Sequence, residues 1–209
     1  GLPGQAGSMP IRQLTEQNDL SQYHGQWLAM KYENVTHHTI LLDSLFNSFV
    51  QSMPGSCQSE HAYANSKSRL RMVTLYQIAS SHKGLVVGTG NKVEDFGVGF
   101  YTKYGDGGVD ISPIGDLLKT EVWDLAKDLN ILQTIIDAPP TDGLWEDGRT
   151  DKDQLGGLTY EDMERAMDLD EKGAIAIGSD QDLLKKYHEV RKLNLHKMSP
   201  IPIYNKNNN

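Results

Sequence analysis

At 209 residues the chain suits one compact domain with a substantial apolar core, so stability needs neither a metal nor a disulfide staple. A formal net charge of −8 excludes broad, sequence-independent binding to nucleic acid, because counterion release needs a basic surface facing the phosphates. The single cysteine, Cys57, cannot bridge internally and points to a reducing compartment such as the cytoplasm. No apolar stretch approaches the roughly 18 residues that cross a bilayer, and no charged-then-apolar signal pattern opens the chain.

Gly1 is not an initiating residue, so GLPGQAGSM reads as a remnant or as the middle of a longer polypeptide. Apolar residues at Leu20, Tyr23, Trp27 and Leu28 predict a helix over 16–32 with those side chains on one face. Val35 to Leu42 is β-rich. Leu42, Leu45, Phe46, Phe49, Val50 and Met53 then follow helical spacing, and Pro54-Gly55 supplies the stop. A further helix is predicted over 63–82, with Leu70, Val73, Tyr76 and Ala79 inward and Gly84 as its left-handed cap. Leu85-Val86-Val87-Gly88 reads as a short buried strand. Alternating helices and strands, joined by connections too long for hairpins, predict parallel strands with helical crossovers. A ligand site is then expected in the loop after Val87.

Later elements are a helix over 120–129 and one opened by a capping box, Thr159 with Asp162, that carries Met163, Ala166 and Met167. Between them, residues 138–157 are rich in proline, glycine and acid without periodicity, the mark of a functional or mobile loop. Pro200 and Pro202 prevent regular helix continuation, and 205–209 is a polar tail.

Three stretches could carry chemistry. Gly88-Thr89-Gly90-Asn91 lets backbone amides and a hydroxyl approach a nucleotide, or it is simply a tight turn. It is not a dinucleotide fingerprint, because Val93 stands where GxGxxG needs its third glycine, nor a Walker A loop, because GK[ST] is missing. Glu94 and Asp95 could hold Mg²⁺ through oxygen ligands, or be solvated acids in a helix's first turn. Phe100 to Asp110 combines aromatic faces, Lys103, two acids and three glycines, a mixture suited to stacking on a ring and neutralising an anion, and also to a surface turn over core aromatics. Lys119 adds a cation, as a helix-start surface residue or as a phosphate partner.

Together these residues resemble the NAD synthetases of the N-type ATP pyrophosphatase group, whose signatures include GT with an acid five residues later and FxTKYGDG. Asn65-Ser66-Lys67-Ser68-Arg69-Leu70-Arg71-Met72 is similar to the family's N-x-x-A-R-x-R-M helix, with Ser68 in place of the alanine. Pro140-Thr141-Asp142-Gly143-Leu144-Trp145 and His196-Lys197 agree as well, so the resemblance runs from about Met9 onward.

The resemblance implies a single α/β domain with a Rossmann-like three-layer fold and a parallel sheet, of the adenine nucleotide α-hydrolase-like kind. It implies ATP-dependent amidation of deamido-NAD by ammonia through an adenylated intermediate, giving NAD, AMP and pyrophosphate. Thr89, Lys119 and Thr141 are then expected to contact ATP, and Glu94 to bind Mg²⁺. Arg69, Lys103, Asp110, His196 and Lys197 are expected to contact deamido-NAD. Residues 138–157 would be a lid protecting the adenylate from water, free ammonia the nitrogen donor, and a homodimer the assembly. The family's SGGxDS pyrophosphate loop does not occur in this sequence, so the first strand, that loop and the next helix would precede residue 1, and the 209 residues alone are expected to bind ATP poorly. Alternatives are a non-catalytic nucleotide-binding dimer and a different N-type ATP pyrophosphatase.

Overall fold

The computed structural model describes residues 2–206; residue 1 and positions 207–209, the end of the predicted polar tail, lie outside the described residues. Strands β1 (Gly4–Ser8) and β2 (Val35–Thr39) pair in parallel, with Gly4 opposite Val35 and Ser8 opposite Thr39. The sequence GQAGS has little strand propensity of its own. Its pairing with the β-branched positions of β2 makes it a strand, and Ser8 Oγ locks the end by hydrogen bonding Ser21 Oγ at 2.8 Å and His37 Nε2 at 2.9 Å. Helix α1 (Thr15–Lys31) forms the crossover. It buries Gly25, where a Cβ would stand 2.2 Å from the His37 ring, rather than the predicted apolar stripe; Tyr23 is 65% exposed. Close approach of helix and strand therefore decided which face turned inward.

Helices α2 (Asp43–Ser52) and α3 (Glu60–Ser81) follow. In α3 the expected inward residue Val73 is exposed, and Ala64, Lys67 and Ser68 are buried instead. The helix turns a polar stripe inward because that side meets a cavity and a glycine-rich turn, described below. Its end also differs by one residue: Lys83 takes the left-handed conformation with φ 54°, while Gly84 N donates to Ala79 O at 2.8 Å and Lys83 N to Ser80 O at 3.3 Å.

Leu85 to Val87 does not form a full strand. Val87 makes an isolated parallel bridge to Ile111, with Gly88 N donating to Ile111 O at 2.7 Å, and Leu85 and Val87 are exposed while Val86 is buried. The chain then enters a π-helical turn over Lys92–Val98, capped by Asn91 Oδ1, which accepts from Val93 N at 3.0 Å and Glu94 N at 3.1 Å. Helix α4 (Lys119–Asp128) and the short α5 (Gln133–Ile136) precede the 138–157 segment, which contains the helical turn α6 (Asp151–Gln154). Helix α7 (Tyr160–Glu171) begins at the expected box: Thr159 Oγ1 accepts from Asp162 N at 3.1 Å, and Asp162 Oδ2 accepts from Thr159 N at 3.0 Å. Helix α8 (Ser179–Met198) completes the described chain before the prolines.

Two apolar clusters hold these elements. The larger packs Val93 and Val98 of the π turn against Leu155, Met163, Ala166, Met167 and Tyr187, joining the 138–157 segment, α7 and α8. The smaller joins Ile11, Leu42 and Phe46, with Tyr63 and Leu70 of α3 packed against it.

Candidate active site

A cavity of about 820 Å³ lies beyond the Val87 bridge, at the end of the parallel segments where an open α/β sheet places its ligands. Its walls are α3 (Asn65, Ser68, Arg71), the strand end (Gly88, Thr89), the Tyr101–Asp106 turn, and Asp142, Trp145 and Arg149 of the 138–157 segment.

The polar stripe of α3 fixes the Phe100 to Asp110 stretch. Thr102 Oγ1 donates to Asn65 Oδ1 at 2.7 Å, Ser68 Oγ donates to Asp106 Oδ1 at 2.7 Å, and Asp106 N donates back to Ser68 Oγ at 2.9 Å. Thr102 N also donates to Asp106 Oδ1, at 3.0 Å, closing the turn on itself. A Cβ at Gly105 would sit 2.3 Å from Ser68 Oγ, so the glycine is required by how closely helix and turn approach. Arg71 lies between the cavity and the smaller cluster, its Nε donating to Met9 O at 3.0 Å.

Beside the cavity stands a row of charge. Lys119 Nζ donates to Glu94 Oε1 at 2.8 Å and lies 4.7 Å from the centre of the Tyr160 ring. Tyr160 Oη is 2.6 Å from the same Glu94 oxygen and 2.7 Å from Asp151 Oδ2. One phenolic hydrogen can be donated to only one of these carboxyl groups at a time. Burial is the largest influence on Asp151 and raises its pKa, against the lowering effect of the Tyr160 hydrogen bond, while Glu94 has the ammonium. Asp151 Oδ1 is buried with no hydrogen-bond partner. Asp95 folds over Gly90, where a Cβ would meet its carboxylate at 2.0 Å; burial first, then Glu94 and Asp106, push its pKa up to about 6.

The structure brings some of the sequence-predicted residues together and leaves others apart. Thr89 and Lys197 line the cavity, and Glu94 and Lys119 form the ion pair just described. Arg69, Lys103, His196 and Lys197 meet where α3, the glycine-rich turn and the last turn of α8 converge. Arg69 Nε donates to Lys103 O at 3.2 Å, Lys103 Nζ to His196 O at 2.9 Å, and Lys197 Nζ to Gly99 O at 2.9 Å and Tyr101 O at 2.8 Å. Burial lowers the Lys197 pKa. Asp110 stands apart at the bridge, where its carboxylate accepts from Val86 N at 2.8 Å and Tyr76 Oη at 3.2 Å. Thr141 Oγ1 donates to Arg149 O at 3.1 Å and accepts from Gly143 N at 3.2 Å, pinning a turn of the 138–157 segment.

Sequence reasoning gave no role to Asp151 and Tyr160, and it placed Asp106 and Trp145 only within the Phe100–Asp110 and Pro140–Trp145 stretches without a role of their own. Tyr160 lies one residue beyond a recognised helix cap, but nothing local relates it to Glu94, which is 66 positions away. Trp145 could have been suspected from its place in an aperiodic loop. It lines the cavity, its Nε1 donating to Gln154 Oε1 at 2.8 Å and the Arg149 guanidinium lying 4.0 Å from its ring centre.

Parallel segments, a helical crossover and a cavity beyond a glycine-rich strand end define the class, a Rossmann-like α/β protein, and its structural relatives, given next, set it with the adenine nucleotide α-hydrolase kind. The profile of the NAD synthase family matches residues 6–200, and the chain belongs to that family. It is 38% identical over 190 residues to the NH(3)-dependent NAD(+) synthetase of Thermoplasma acidophilum, covering 90% of this chain and 74% of that protein. It is 44% identical over 134 residues to the namesake of Carboxydothermus hydrogenoformans, covering 63% of this chain and 54% of that one. The structure is similar to that of NMN synthetase from Francisella tularensis, with a TM-score of 0.83 at 30% identity, covering 98% of this chain and 80% of that one. The fold also matches that of the NH3-dependent NAD synthetase from Campylobacter jejuni, at a TM-score of 0.73 over 96% of this chain and 77% of that one.

Proposed function

We propose that the protein carrying this chain catalyses ATP-dependent amidation of deamido-NAD by ammonia, releasing NAD, AMP and pyrophosphate. The observation that carries this reading is the Lys119–Glu94 pair, 2.8 Å apart, beside a cavity of about 820 Å³ that begins at Thr89. A carboxylate resists attack by ammonia until one of its oxygens becomes part of a leaving group, so the nicotinate carboxylate is first adenylated. Thr89, Lys119 and Thr141 form the ATP side, where the Lys119 ammonium offsets charge developing on the phosphates. Arg69, Lys103, Asp110, His196 and Lys197 form the dinucleotide side.

Among the described residues no group of three His, Cys, Asp or Glu side chains is arranged to hold a metal. Mg²⁺ binds through one or two carboxylates and completes its shell with water and phosphate. Glu94 is the proposed ligand, and the ion when bound would offset charge on the triphosphate. Residues 138–157 serve as a lid over the adenylate. The remaining proposals are free ammonia as nitrogen donor, a homodimeric assembly and a cytoplasmic location; no described helix is long and apolar enough to cross a membrane.

The test is a chromatographic assay of AMP and NAD on the protein at its natural length, with ATP, ammonia and deamido-NAD. Equal amounts of AMP and NAD are expected, and AMP without NAD sinks the reading. The similarity to NMN synthetase raises a second reading, amidation of nicotinate mononucleotide. Competition between the two acids decides it, and deamido-NAD is expected to have the higher kcat/KM. Lid action predicts slower proteolytic cleavage within 138–157 when ATP and deamido-NAD are present.

A further inference from the structure

We propose that Asp151 and Tyr160 are positioning residues through which the 138–157 segment orients the Glu94 carboxylate, so that seating of that segment and cation capture at Glu94 are one coupled event. The inference rests on the reading of Glu94 as the cation ligand.

Tyr160 is held from three sides. It is the first residue of α7, set by the Thr159–Asp162 box; its ring meets Trp123 edge to face at 5.9 Å; and the Lys119 ammonium caps the ring face. A phenol so fixed has little freedom to choose its partners, yet its oxygen lies within 2.7 Å of carboxylates from two different parts of the chain. One belongs to the π turn and the other to the 138–157 segment.

On the segment's side, Asp151 opens the turn α6, and its backbone N donates to Pro140 O at 3.1 Å, tying the two arms of the segment together. Leu155 anchors the following residues in the larger core. Lifting the segment would therefore draw Asp151 away from Tyr160 and leave the hydroxyl hydrogen, though not the fixed ring, free to turn from Glu94. Asp151 Oδ1 is in addition buried without a hydrogen-bond partner. Carboxyl groups behind a ligand carboxylate set its orientation through hydrogen bonds, the part that Asp151 plays through Tyr160.

The test uses Mn²⁺ as a paramagnetic stand-in, titrated in the presence of ATP against the protein at its natural length, together with trypsin cleavage at Arg149 and Lys152 within the segment. Tyr160→Phe and Asp151→Ala are each expected to weaken Mn²⁺ binding about 10-fold and to abolish the protection that Mn²⁺ with ATP gives those two sites. Asp151→Asn should keep most of the wild-type affinity, because its amide can still donate to the Tyr160 oxygen. Mn²⁺ affinity within about twofold of wild type in both Tyr160→Phe and Asp151→Ala, at unchanged Tm, would overturn the proposal. If Tyr160→Phe melts below the assay temperature, the Asp151 pair decides alone, and equal affinity in the alanine and asparagine forms overturns it. A wild-type protein that binds Mn²⁺ with ATP and gains protection but makes no NAD defeats the synthetase reading while leaving the coupling intact. A wild type that makes NAD while the variants bind Mn²⁺ normally defeats the coupling alone.

Discussion

The two apolar clusters do different work. The one around Met163 gathers nine buried side chains from the π turn, the 138–157 segment, Leu158 just after it, α7 and α8, and the Lys119–Glu94–Tyr160 row stands on it directly through Val93 and Tyr160. The one around Phe46 gathers three, from the loop after β1 and from the start of α2, and touches the site through α3 and Met9. Charge chemistry is thus mounted where packing is dense, because a carboxylate that must keep its orientation needs neighbours that cannot shift. The smaller cluster supports the wall of the cavity instead. It sits beside the buried Lys67, whose ammonium lies 5.6 Å from the Phe46 ring centre and donates to Leu144 O at 2.9 Å.

Four experiments would break or sharpen that division. The largest effect is expected from Glu94→Gln, which removes the charge facing Lys119: AMP release should fall by about 100-fold or more, with a Tm near wild type. A large Tm loss would mean that the ion pair serves the larger core rather than the chemistry. Next come paired truncations. Met163→Ala and Phe46→Ala should each cost roughly 2–5 kcal/mol in denaturant unfolding, but only the former is expected to weaken Mn²⁺ binding in the remaining folded protein. Equal losses of Mn²⁺ affinity would show that the two clusters support the site alike.

A smaller effect is expected at the α1–β2 contact. Gly25→Ala forces a Cβ to within 2.2 Å of the His37 ring and should cost about 1–3 kcal/mol with the reaction unaffected per folded molecule. The smallest effect concerns pH. Burial lowers the His24 pKa below its usual 6.5, so the folded protein holds fewer protons there than the unfolded chain does. Stability from this group is present above pH 6.5 and lost as pH falls through the depressed value. His24→Asn should therefore show a smaller Tm drop than wild type between pH 7.5 and 5, read by thermal melting. An identical drop would show that His24 escapes its burial by rotating to solvent.

The amphipathic helix α2, the Thr159–Asp162 box that starts α7, and the proline stop after α8 follow from the sequence alone, because each is written in residues within one or two turns of one another. The motifs Gly88–Asn91, Phe100–Asp110 and His196–Lys197 could likewise be read in order, and they pointed to the correct family. Only the tertiary structure decided that Tyr23 and Val73 face outward and that GQAGS, which composition and periodicity left unassigned, pairs with β2. Those outcomes depend on partners far along the chain, such as β2, His37 and the cavity wall, whose approach outweighs local preference. The same holds for the site. Glu94 and Lys119 announce themselves by residue type, whereas Asp151 and Tyr160 acquire meaning only because folding brings three distant segments to within one hydrogen bond of each other.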